Sequence, residues 1–92
     1  MSVLAKLAEV TSRPARGTVA RGLYEIDKQG GPAGTTEMDW VRAFGRNPMA
    51  INAMPGDQRL LQWRSGTTRI QSVAVLFDQH HRFVKITSRY QV

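Results

Sequence analysis

The stretch Gln58–Tyr90, QRLLQWRSGTTRIQSVAVLFDQHHRFVKITSRY, decides the fold. It divides into three runs rich in β-branched and aromatic residues, separated by the short polar pieces Gly66-Thr67-Thr68 and Gln79-His80-His81. Runs of that length joined by short turns form antiparallel hairpins, so strands are expected over Gln58–Ser65, Arg69–Asp78 and Arg82–Tyr90. Side chains alternate across a strand, which sorts the residues into two faces. Leu61, Trp63, Val73, Val75, Phe77, Val84, Ile86 and Tyr90 form the expected core face. Leu60, Gln62, Arg64, Ile70, Ser72, Ala74, Leu76, Phe83, Lys85, Thr87 and Arg89 form the opposite one.

Upstream the period becomes helical. Thr18 is a good N-cap for a helix over Thr18–Gln29, with Val19, Leu23 and Ile26 along one stripe. Gly22 weakens that helix by about 1 kcal/mol relative to Ala. The linker Gly30-Gly31-Pro32-Ala33-Gly34 breaks the chain. Thr36 then restarts it, with Asp39 three residues on as a capping box, and a second helix presents Trp40, Val41 and Phe44 before Gly45 stops it. Asn47–Asp57, NPMAINAMPGD, is bounded by Pro48 and Pro55-Gly56 and reads as a loop with one helical turn at most. The expected fold class is therefore α+β, two helices packed on one face of a three-stranded antiparallel β-meander. Residues 1–16 read as a flexible or short-helical N-terminal segment, because Ser12-Arg13-Pro14 ends any helix there, and 17–92 as a single α+β domain.

The size supports one core only: 92 residues with 41% apolar composition. Thirteen Lys and Arg against seven Asp and Glu leave a formal charge of +6, which invites an anionic partner. From Arg59 onward there are six basic residues and one acid, Asp78. The absence of cysteine excludes disulfides, thiolate zinc sites and thiol nucleophiles. No run reaches the roughly 20 apolar residues that span a bilayer. Lys6 and Glu9 interrupt the opening MSVLAKLAEV, so as written it is not a secretory leader, and a cytoplasmic location is one expectation.

Catalytic, cofactor-binding and metal-binding residues are not expected. His80 and His81 are neighbours whose side chains splay in a turn, and Asp78 beside them is explained by turn formation. The piece GGPAGTTE precedes a helix but lacks the Gly-Lys-Ser/Thr ending of a phosphate loop, and Pro32 removes an amide from the cradle. The candidate partner-binding residues are Leu60, Leu76 and Phe83, an apolar strip, with Arg64, Lys85 and Arg89 as its cationic rim. Such a strip suits a protein partner, and arginines beside an aromatic ring also suit single-stranded nucleic acid. A homodimer through a sheet edge or through that face is a further expectation.

The residues Gly34-Thr35-Thr36, Trp40, Phe44-Gly45 and Pro48 resemble the Gly-x-Thr-x3-hydrophobic-x3-Leu-Gly-x-Pro pattern of the SmpA/OmlA family, which includes BamE-like outer-membrane β-barrel assembly lipoproteins. Leu61-Gln62-Trp63 is similar to the family's aromatic strand, and Val73–Ile86 to its hairpin. The resemblance implies the repeat-unit fold of β-lactamase inhibitor protein and a non-catalytic role in protein contact. It also implies anionic phospholipid as a further partner and a location on the periplasmic face of the outer membrane. The alternative is a winged-helix nucleic-acid binder in which 47–53 forms the recognition helix and the hairpin from Arg69 to Arg89 the wing.

Overall fold

The computed structural model describes residues 14–68 and 70–91. The expectation for 1–16 lies outside the described residues apart from 14–16, and Arg69 is likewise outside them.

Helix α1, Val19–Lys28, begins where Thr18 in extended conformation accepts the Arg21 N–H on its side chain. The Thr18 hydroxyl also donates to the Ala15 carbonyl at 2.7 Å, which fixes the entry of the chain. Helix α2, Glu37–Phe44, carries the expected capping box: Thr36 accepts from the Asp39 N–H while the Asp39 carboxylate accepts from the Thr36 N–H. It ends at Gly45 with φ 72°, a left-handed position that a β-carbon would strain.

The strands are β1, Ala50–Met54; β2, Gln58–Ser65; β3, Gln71–Phe77; and β4, Phe83–Gln91. They form one antiparallel sheet in the order β1-β2-β3-β4. The α+β class stands, and the strand count is corrected from three to four, because the expected loop over Asn47–Asp57 contains β1 and a single 3-10 turn, Pro55–Asp57. Alternation could not reveal β1. From Ile51 to Met54 both sides of the strand are exposed, so no apolar and polar faces need to be separated. The two prolines lie outside the strand, where no ladder N–H is required of them. The same observation removes the winged-helix arrangement, since the segment it needs as a recognition helix runs into β1.

Two register shifts separate β4 from simple alternation, one between Ala74 and Val75 and one between Leu76 and Phe77 of its neighbour. Phe83 pairs with Phe77, Ile86 with Val75 and Arg89 with Val73, so Val84 and Thr87 are the extra residues. Each extra residue flips the next part of the strand to the other face. Four face assignments are thereby corrected. Phe83, half-buried, and Arg89, exposed, lie on the helix side, whereas Val84 and Tyr90 do not and are exposed at 41% and 57%.

Both helices pack on one face of the sheet. Val19 and Ile26 of α1 and Trp40 and Phe44 of α2 meet Leu61, Trp63, Val73, Val75 and Phe77. Trp40 is at the centre, wholly buried. Its ring stacks on Phe44 at 5.9 Å, Trp63 at 6.3 Å and Phe83 at 5.7 Å, and meets Phe77 edge-on at 6.1 Å. Buried indoles need partners for their N–H groups. Trp40 Nε1 donates to Thr35 Oγ1 at 2.8 Å and Trp63 Nε1 to the Arg46 carbonyl at 3.1 Å.

Candidate interaction surface

With both helices on one side, the opposite side of the sheet has no covering layer among the described residues. Register fixes what it displays, because residues paired across antiparallel strands share a face. Asn52, Leu60, Leu76 and Lys85 form one cross-strand row. Gln62, Ala74 and Ser88 form the next, and Arg64, Ser72 and Tyr90 the third. Leu76 and Ala74 are nearly buried at the centre, at 7% and 6% exposure, while Tyr90 stands out at the margin. Arg64 and Lys85 are exposed, and among the described residues neither side chain has a carboxylate partner. None of the residues that these registers place on the outer face is Asp or Glu.

Of the six residues expected to bind a partner, Leu60, Arg64, Leu76 and Lys85 are brought together on this face. Phe83 and Arg89 are not. Phe83 packs against the core, and Arg89 lines a cleft of about 360 Å³ with Leu23, Ile86 and Trp40. The two β-bulges in β4 separate them from the others, and nothing in the local sequence distinguishes a bulged strand from a regular one.

Two other charged regions contain internal ion pairs, and the first of them still has more cations than carboxylates. A groove of about 930 Å³ runs along the exposed side of the helix pair and is bordered by Arg16, Arg21, Lys28 and Arg42. It also contains Glu25 and Asp39, and Arg21 pairs with Glu25 at 2.8 Å and Arg42 with Asp39 at 3.9 Å. The second is a cluster of residues far apart in the chain, which local spacing could not reveal. The Glu37 carboxylate, 12% exposed, lies between His81 Nδ1 at 2.7 Å and Arg59 Nη2 at 3.2 Å. The backbone N–H of Glu37 donates to the His81 carbonyl at 2.9 Å, and that of Phe83 to the Thr35 carbonyl at 2.8 Å. The cluster thus ties the start of α2 to the β3–β4 turn. The contact of the His81 ring with the Glu37 carboxylate through Nδ1 adds a side-chain link to that tie.

Within the turn, the Asp78 carboxylate accepts the N–H groups of Arg82 at 3.0 Å and His80 at 2.8 Å. The Arg82 N–H, above all, holds this carboxyl below the ordinary carboxylate range, and the His80 N–H adds to it. His80 lies against Gln79 while His81 faces Glu37, so the histidine pair splays. No group of three or more His, Cys, Asp or Glu among the described residues is placed to hold a metal ion. Compared with family models, curated proteins and solved structures, the chain matches none of them.

Proposed function

We propose that the protein is a small non-catalytic interaction module of the kind the SmpA/OmlA resemblance implies, and that the outer face of its sheet receives an acidic protein surface. One observation carries this reading: the face opposite the helices joins an apolar row, Leu60 and Leu76, to the cations Arg64 and Lys85, and among the described residues neither cation has a carboxylate partner and the face carries no Asp or Glu. An apolar centre with a charged margin is the anatomy of a protein contact, and charge of one sign sets the sign of its partner.

The test is a titration of isotope-labelled protein with an amphipathic Glu/Leu peptide, with phosphatidylglycerol vesicles and with duplex DNA. The expected result is a set of resonance shifts at Leu60, Arg64, Leu76, Lys85 and Tyr90 with the peptide. The double substitution Arg64→Glu and Lys85→Glu should abolish those shifts while leaving the fold intact. Shifts confined to the helical groove would overturn the reading. So would binding to vesicles or DNA alone, the latter recognisable by a log–log salt slope of about −0.9 for each phosphate neutralised.

A further inference from the structure

The two edges of the sheet are built differently, and the difference bears on association. A free strand edge presents unpaired backbone N–H and C=O groups and invites another strand unless charge, proline or bulges prevent it. Edge β4 has such protection: two bulges break its register, and Lys85 and Arg89 lie along it. Edge β1 has none. Its sequence Ala-Ile-Asn-Ala-Met contains no charge and no proline, and its pairing with β2 runs unbroken from Ala50↔Gln62 to Met54↔Gln58. Ile51 is 52% exposed and Met54 36%, and the helices lie over β2 and β3 rather than over β1. The strand therefore overhangs the core with its apolar side chains uncovered.

The geometry points to a second copy of this chain as the occupant of the β1 edge, paired antiparallel about a two-fold axis through Asn52. The strand is self-complementary in that register. Ile51 falls opposite Ala53 of the partner subunit, Ala50 opposite Met54 of the partner subunit, and Asn52 opposite the partner's Asn52. Each large side chain meets a small one, and the single amide meets its equivalent. Residues opposite one another share a face, so the helices of both copies lie on the same side of one eight-stranded sheet, and Ile51 is flanked by two helical layers. The charge also fits. On a chain of net charge +6, β1 is a strand along which two copies approach without setting cation against cation, and Arg59 on the adjoining strand is already paired with Glu37. This inference stands apart from the acidic-partner reading, because the dimer uses the β1 edge and not the side chains of Leu60, Arg64, Leu76 and Lys85.

The cysteine-free chain makes the register directly measurable. At the two-fold axis the β-carbons of residue 52 lie about 4.5–5.5 Å apart, close to the span of a disulfide. At position 50 the equivalent residues are about 13 Å apart, beyond that span. Asn52→Cys should therefore form a covalent dimer under mild oxidation at least about tenfold faster than Ala50→Cys, through the high local concentration in the preformed pair. Light scattering on the unmodified protein should show a concentration-dependent dimer. Ile51→Lys, at an exposed position, should return it to monomer with an unchanged circular dichroism spectrum. Equal cross-linking rates at 50 and 52 would overturn the register. A monomer throughout the concentration series would overturn the dimer, as would a dimer that survives Ile51→Lys but not Leu76→Glu, which places association on the outer face.

Discussion

At Gly22 the chain has no room for a β-carbon: one built there would lie 2.5 Å from the Phe44 ring. The residue that weakens α1 as an isolated helix is the one that lets α1 and α2 approach. Gly22→Ala gains about 1 kcal/mol of helix propensity but forces an overpacked contact costing about 1–3 kcal/mol. The expected net effect is a loss of about 1 kcal/mol, read as a melting temperature lower by about 4–8 °C. Asp78 acts through a different mechanism. Its carboxylate holds two turn N–H groups more strongly when ionised than when protonated, and its pKa is lowered in the folded protein. A lowered folded pKa means that this contribution is present above the unfolded value and is lost as pH falls through the folded one. Hydrogen exchange at the His80 and Arg82 amides should accordingly stay slow down through the ordinary carboxylate range, relative to the intrinsic rate, and lose protection only below it. Asp78→Ala should remove that protection at every pH, and Asp78→Asn should retain part of it through the amide oxygen.

Among the elements, α2 is the one on which the others converge. Its eight residues are too few to be helical alone, so the helix depends on its cap and on what Trp40 and Phe44 bury. Thr36→Ala removes half of the capping box, for an expected loss of about 1 kcal/mol in denaturant unfolding, with the slope unchanged. Thr36→Ser should restore most of that stability, because a hydroxyl at the N-cap is what the Asp39 N–H requires. Both helix ends were legible in the sequence through Thr18, Thr36, Asp39 and Gly45, since capping is chemistry between near neighbours. Strand β1 was not. An edge strand exposed on both faces is held by backbone bonds to β2 on one side, and those bonds leave no periodic mark in the side chains. The β4 bulges were illegible for a related reason: Thr87, whose hydroxyl donates to the Ala74 carbonyl at 3.2 Å, resembles any strand threonine until its neighbour is in place.

Across the whole molecule, one aromatic cluster joins residues from α2, β2, β3 and β4 around Trp40. With α1 packed on the same core, no described part of 17–91 retains a separate one. Unfolding followed by tryptophan fluorescence and by far-ultraviolet circular dichroism should therefore give coincident two-state transitions, and a separate early phase in either probe would contradict a single core. The amino-acid sequence by itself determined the α+β class, both helices and their caps, three of the four strands, and the residues Leu61, Trp63, Val73, Val75 and Phe77 that form the core floor. Those features arise from local periodicity and short-range hydrogen bonding. Only the tertiary structure decided the fourth strand, the helix-side placement of Phe83 and Arg89, the Glu37–His81–Arg59 brace and an outer face that, among the described residues, carries no carboxylate. Each depends on which residues from distant parts of the chain lie opposite one another. That is set by register, and a shift of one residue reverses the face without changing a letter of the sequence.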